Sequence, residues 1–508
     1  MKHTFSKLVL FAVLLPFSIS AQTAGDSFFG LSNVHTIKLY FSQPNYWDSL
    51  VAAYNGDYYI AADVEIDGNY IYGIGAKFKG NSSYNNPNIK KSMKLDFNEF
   101  VQGQDYDGLK KLNLNNGFKD PTFLREKTAL EFMISHNVPA PRCTYANVYF
   151  NDTLWGFYMI VEEIDDEFLN RWFLNNKGNL FKGDPTGDLK WFGSTPSSYY
   201  PKYELHNNDL QNDWTDLVAF INVVNNSPAG TFASDLDTFF NVDRYIKYWA
   251  TTNLFVNLDS YMGSGHNYYL YHDSVANKFE FIVWDINESY GVFTMGMNVS
   301  QLESLAVIHI PSPATNRPLN NRMIQDVNLK QQLYDEVCDL IHFDFSIWNM
   351  EWYIDSLANV IRPHVYADPN KFYSNQNFED NINTNITVVG PGGGTMPGLK
   401  SFLINRRISI ASELAMNGCT VDLHQLNNPH SGYLAYPNPF TSEITLPGLP
   451  YEYFAYDLSD MTGRCVASGS FYGPSSVQLS SDLAPGTYVL SVKNGTFEVI
   501  VNQKLFKH

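Results

Sequence analysis

Residues 257–291 read NLDSYMGSGHNYYLYHDSVANKFEFIVWDINESYG. Asp259 closes an apolar helical run in a glycine-containing loop, and His266 and Asn267 immediately precede a strand over Tyr268–His272. A second, strongly apolar strand over Lys278–Trp284 delivers Asp285 to a turn, with Asn287 and Glu288 just beyond. Two carboxylates are thus placed at the ends of a hairpin-like unit. Phosphoryl transfer asks for that arrangement: one acceptor to orient the attacking hydroxyl, another to hold the Mg²⁺ that bridges phosphates. Either aspartate taken singly is equally a turn or cap residue. The pairing, with Asn267 between, favours chemistry.

Outward from this unit the chain changes character. From Val34 to about Phe100, apolar and polar residues alternate in Thr36–Phe41, Tyr59–Ile66, Ile71–Phe78 and Ser92–Phe97, with Asp67-Gly68-Asn69 as a hairpin turn. Asp120 and Pro121 form a start signal for a helix to about His136. Strands return at Tyr145–Phe150 and Gly156–Glu162. Helical periodicity then dominates at Trp214–Val224, Val242–Phe255, Val327–Ile341, Ile347–Ile361 and Leu399–Met416. The order predicts a bilobal α+β enzyme, β-rich over 34–165 and α-rich over 166–416, with its site in the cleft.

The β-rich half offers the complementary groups. Gly73 to Ser83 reads GIGAKFKGNSS, a glycine-bordered strand running into a polar loop. Glycine lets backbone N–H groups approach phosphates, so Lys79, Gly80, Ser82 and Ser83 are candidates for nucleotide contact. Lys94, on a strand, suits a point charge for the α/β-phosphates, whereas Lys90 and Lys91 read as solvated edge lysines. Glu126 of the following helix, or less well Glu131, is a candidate partner for Lys94. Glu162 and Glu163 end an apolar strand and either border an adenine pocket or cap the next segment, with Glu162 the candidate.

Composition bounds the partners. A formal net charge of −18 over 508 residues repels phosphate backbones and argues against nucleic acid, while leaving room for a local nucleotide pocket. Lys2, His3 and Lys7 before an apolar run Leu8–Phe17, then Ser18, Ser20 and Ala21, predict a signal peptide over 1–21. No later stretch predicts a membrane span. Cys143, Cys338, Cys419 and Cys465 lack CxxC spacing, which argues against zinc and makes buried thiols the default, though export permits disulfides. Residues 417–431 read as a polar linker, and 432–508 as short strands of a small β-sandwich. A rival to the enzyme is a surface adhesin or glycan binder using Trp172, Trp191, Phe192, Tyr199 and Tyr200 for sugar stacking.

Eight ordered segments, KFKGNSS, KKSMKLDF, KKLNLNN, DPTFLREKTALEF, VPAPR, WGFYMIVEEID, NLDSYMGSGHNYYLY and FEFIVWDINESYG, resemble the CotH (spore coat protein H) kinase family over about residues 35–416. That resemblance implies an atypical protein-kinase-like domain using ATP and Mg²⁺ to phosphorylate serine in secreted or surface proteins. It matches Asp259 to the catalytic aspartate, Asp285 to the metal aspartate, Asn267 to a second metal ligand and Lys94 to the nucleotide lysine. No HRD, DFG or GxGxxG occurs here. The C-terminal segment, with Tyr436-Pro437-Asn438-Pro439-Phe440, Leu483-Ala484-Pro485-Gly486-Thr487-Tyr488 and basic Lys504 and Lys507, is similar to the type-A sorting domain of type IX secretion. It implies the type IX secretion machinery as a partner, a Bacteroidetes-type host, and a secreted or cell-surface location.

Overall fold

A computed structural model describes residues 23–507 apart from 31–33, 209, 343, 391–392, 420–434, 447–448, 450–452, 461–463, 481–482 and 496–498. The expected signal peptide over 1–21 and most of the expected linker over 417–431 lie outside the described residues. The chain divides into two compact units. One comprises residues through Tyr84, Lys91–Asn115 and Arg142–Asn176; the other comprises Asn85–Lys90, Asn116–Pro141 and the chain from Lys177 onward.

In the first unit, period-two alternation carries seven strands that close into a barrel. They are β1 (His35–Tyr40), β2 (Ile60–Ile66), β3 (Asn69–Lys79), β4 (Ser92–Asp96), β5 (Lys111–Asn115), β6 (Cys143–Phe150) and β7 (Thr153–Glu162), in the order β1-β2-β3-β4-β5-β7-β6. Closure comes from the parallel pairing of β1 with β6, Ile37 opposite Val148. Ile37, Leu39, Val64, Ile74, Phe78, Leu95 and Ile160 fill the interior. Closing the sheet leaves no open edge, which answers the edge-strand problem directly. One stretch expected to be β-rich is helical instead. Tyr46–Gly56 forms a helix whose Leu50 and Ala53 are fully buried, with Trp47 and Tyr54 packed against the barrel core. Those four recur at helical spacing, a signal hidden by the aromatics' strand preference.

The second unit is mainly helical. It carries a four-stranded antiparallel sheet, order β11-β10-β8-β9, made of β8 (Leu180–Gly183), β9 (Tyr203–Leu205), β10 (Tyr268–Asp273) and β11 (Lys278–Val283). The helix expected from Pro121 begins at Arg125 and runs to Ser135. Asp120 still organises its start, accepting from Thr122 N–H at 2.9 Å and Arg125 N–H at 3.0 Å, but a tight turn with Phe123 at φ +57° intervenes. This helix belongs to the second unit, not to the β-rich part, because Phe132 packs on Phe255 and Phe345 and Thr128 hydrogen-bonds Tyr290.

Lys90 is not a solvated edge lysine. It is fully buried, and its Nζ donates to Asp368 Oδ2 at 2.6 Å. Lys91 is half-buried and donates to Tyr84 O. Cys338 and Cys419 form a disulfide, against the default of free thiols. Past Ala435, a four-stranded antiparallel sheet (Cys465–Tyr472, Tyr453–Asp460, Gly486–Lys493, Val499–Lys507) and a two-stranded one share an apolar core that includes Phe440, Leu458, Leu490 and Leu505. Among the described residues no helix is long and apolar enough to cross a membrane.

Candidate functional site

The 257–291 stretch forms the loops of the expected hairpin. The helix Val242–Leu254 is buried along most of its length and ends at Phe255, after which Val256 adopts φ +46° and turns the chain. The return segment is tied on by Tyr290 N–H donating to Phe255 O at 2.6 Å and Gly291 N–H to Val256 O at 3.3 Å. Within the first loop Gly265 has φ +86°, and a Cβ there would meet the Arg317 guanidinium at 2.6 Å, so glycine is required twice over.

Asp259 sits at the centre of a polar cluster. Asn267 Nδ2 donates to its Oδ2 and to its backbone O, each at 3.0 Å. His266 Nε2 stands 2.9 Å from Oδ1, at ion-pair distance. One carboxylate oxygen is therefore clamped by Asn267, and the other is buried beside the His266 ring. Contact with the Asp259 carboxylate raises the His266 pKa against the opposing effect of burial, and Asp285 and Asp184 add at longer range. Glu288 is buried and held by Lys119, whose Nζ donates to both carboxylate oxygens at 3.0 and 2.9 Å. Burial pushes the Glu288 carboxyl up; Lys119 opposes this, and the charges of Asp259 and Asp285 reinforce it. Asp285 is exposed, and both Asp285 (φ +49°) and Asn267 (φ +57°) occupy the left-handed region, which Asp and Asn adopt more readily than other non-glycine residues.

The barrel presents a second cluster on its outer face. Lys77, Lys94 and Asn113 share one hydrogen-bonded row across β3, β4 and β5. Lys94 Nζ pairs with Glu163 Oε1 at 2.9 Å; Asn113 donates to Glu163 Oε2 at 2.8 Å; Lys79 Nζ donates to Asn113 Oδ1 at 2.8 Å. Lys94 thus has its carboxylate partner in Glu163, just past β7, and not in a helix glutamate such as Glu126, which is buried in the Arg125–Ser135 helix. Glu162 points to the opposite side and is engaged by Arg142 at 2.6 Å and Arg171 at 2.7 Å. A strand's period of two separates the two glutamates, and sequence alone did not show which faced the lysines. Gly80 has φ +91°, and a Cβ there would strike Ser83 Oγ, so the Gly80–Ser83 loop needs its glycine; Ser82 is exposed.

Burial pushes the Glu163 carboxyl up, but Lys94, Asn113 and Lys79 outweigh it and hold it below the ordinary 4.5. A carboxyl depressed in the folded state stabilises above its unfolded pKa and loses that contribution as pH falls through its folded pKa. Thermal melts from pH 7 downward should therefore show the gap between the parent and Glu163→Gln narrowing below about 4.5.

The donor set fits a hard cation. Carboxylates of Asp259, Asp285 and Glu288 and the Asn267 amide oxygen are ligands Mg²⁺ accepts. Among the described residues these acids do not close into a tight three-residue cage. Of the aromatics weighed for sugar stacking, Tyr199 is fully buried and donates to Gly193 O, while Phe192 and Tyr200 are exposed.

The fold and these loops define a mixed α+β protein with an acid-rich polar site on its helical unit and a β-rich C-terminal region. The chain belongs to the CotH kinase protein family, whose match covers residues 76–389. Residues 434–507 match the secretion system C-terminal sorting domain, which marks a secreted or cell-surface protein of the type IX route. Among curated proteins it is similar to inner spore coat protein H of Bacillus subtilis (strain 168), 25% identical over 296 residues that cover 57% of this chain and 78% of that protein.

Proposed function

We propose that this chain is a secreted atypical protein kinase that transfers the ATP γ-phosphate to a Ser or Thr hydroxyl of an extracytoplasmic or surface protein. The observation that carries the proposal is the polar cluster around Asp259: one oxygen clamped by Asn267, the other beside His266, with Asp259 and Asp285 both near enough to raise His266 and Glu288. In this reading the Asp259 carboxylate takes the hydrogen bond of an incoming hydroxyl in place of His266, orients its lone pair and accepts its proton as the bond to phosphorus forms. Asn267 keeps the carboxylate from rotating. Asp285, with the Asn267 carbonyl, would hold Mg²⁺, which when bound supplies charge neutralisation at the phosphates. On the barrel, Lys94 held by Glu163 is our candidate for the phosphate-binding lysine, with Lys79 and the Gly80–Ser83 loop beside it. In this reading the barrel unit and the helical unit correspond to the two lobes of a kinase, and the C-terminal sheets to a small β-sandwich.

The test is a thermal-shift titration with Mg-ATP, followed by labelled-ATP transfer to candidate surface proteins. A binder at a hundredfold excess over Kd gains about 2.7 kcal/mol, several degrees in Tm. Lys94→Met should abolish most of that shift. A chain that shows no nucleotide-dependent shift is a binding protein that keeps only the shell.

A further inference from the structure

Cys338 lies one turn before the end of the Val327–His342 helix, and Cys419 just past the Leu399–Met416 helix; their disulfide joins positions separated by 81 in sequence. The Leu399–Met416 helix braces both halves of the 257–291 site. Its Arg406 donates through Nη2 to Asn253 Oδ1 at 2.6 Å, in the last turn of the helix that leads to Asp259. Its Phe402 packs on Tyr290 with ring centroids 5.8 Å apart, on the return segment after Asp285. The same helix is tied to the cysteine helix by Arg407 donating to Ile341 O and by Tyr334 donating to Glu413 at 2.8 Å. The disulfide fixes its C-terminal end.

We propose that Cys338–Cys419 is an oxidative staple acquired on export, with His342 as the residue that promotes its formation, and that it completes the site by seating Arg406 and Phe402 beneath the loops. The activity arm of this proposal rests on the phosphotransfer reading; the stability arm does not. Cys338 is half-buried and Cys419 buried, so Cys338 is the sulfur that an external disulfide reaches first. His342 Nδ1 lies 3.5 Å from Cys338 Sγ and 4.0 Å from Cys419 Sγ, and it donates to Cys338 O at 2.8 Å. While donating to Cys338 O, that N–H also lies beside both sulfurs, and its positive end favours the thiolate, the attacking species. The Cys338 proton leaves to solvent, and its thiolate attacks the disulfide of the oxidant, forming a mixed disulfide and expelling one thiolate. Cys419, deprotonated in turn, attacks the Cys338 sulfur and expels the second. Two protein thiols are oxidised to one disulfide, and the oxidant's disulfide is reduced to two thiols. That oxidant is a disulfide-bearing oxidoreductase or small disulfide of the compartment beyond the cytoplasm.

The test uses the secreted chain, its reduced form, Cys338→Ser/Cys419→Ser and His342→Ala, with Cys465→Ser as a control. Reduction or the double substitution should lower Tm by roughly 5–15 °C. Each should also speed amide exchange in 399–416 and cut phosphotransfer about tenfold or more through misplacement of the site. Cys465→Ser should do none of these. His342→Ala should slow reoxidation about fivefold while leaving the oxidised Tm unchanged. An unchanged Tm and exchange pattern in the double variant would overturn the staple, as would one equivalent of zinc bound by the reduced chain with full stability, since Cys338, His342 and Cys419 bring three ligand atoms within 4.8 Å of one another. Reoxidation at the parent rate in His342→Ala would overturn the histidine's role. If no form transfers phosphate, the phosphotransfer reading fails, and melting and exchange still decide the staple.

Discussion

Asp285→Asn should reduce phosphotransfer at least about a thousandfold while leaving Tm within about 2 °C of the parent. The substitution removes one negative charge and almost no volume. Asp285 is exposed and has φ +49°, a conformation asparagine tolerates as well as aspartate, so neither packing nor backbone opposes the change. What disappears is charge where a divalent cation and a triphosphate would need it. The electrostatic side effects are visible too: Asp285 helps raise both His266 and Glu288, so their pKa values should move down in the variant. Histidine NMR titration reads the first of these directly. Full activity in the variant would remove Asp285 from the mechanism, and a large loss of Tm would assign it a structural role instead.

The second large effect is on stability. Asp368→Ala should cost about 3–5 kcal/mol, because it leaves the Lys90 ammonium buried without its counter-charge. Both side chains of this pair are 0% exposed, and the 2.6 Å contact is closed around by the Phe123 ring, 4.8 Å from the ammonium. Burial already lowers the Lys90 pKa, and Asp368 is what opposes that shift. Without Asp368 the lysine should lose its proton at a markedly lower pH. Destabilisation in denaturant melts should therefore shrink as pH rises, while Lys90→Met/Asp368→Leu, which removes both charges, should recover most of the loss. Equal damage from the single and double replacements would show that shape, not charge, is at stake.

Much of the architecture follows from local pattern. The alternation in 34–100 and 145–162 yields barrel strands, and the apolar periodicity at Val242–Phe255 and Leu399–Met416 yields helices within a residue or two of the expected ends. The neighbourhood of Asp259, Asn267 and Asp285 was also legible, since a loop, a hairpin and a turn keep residues close in sequence close in space. Where reading failed, the missing information was long-range. Lys90 carries the same local signature as a solvated edge lysine, and only a residue nearly three hundred positions away makes it a core cation. Glu162 and Glu163 are adjacent in sequence, and the register of β5 on β7 decides which one meets Lys94.

The amino-acid order alone settled the kinds of element, the membership of the CotH kinase protein family and the export signal carried in 434–507, because these depend on side-chain periodicity and contiguous motifs. Closure of seven strands into a barrel, the joining of Cys338 to Cys419, and the setting of Asp259 between Asn267 and His266 were decided only by the folded chain. Each of these is a contact whose partners' separation in sequence, or whose orientation, no local propensity encodes; tertiary packing brings the partners together, and barrel closure also removes the open sheet edges.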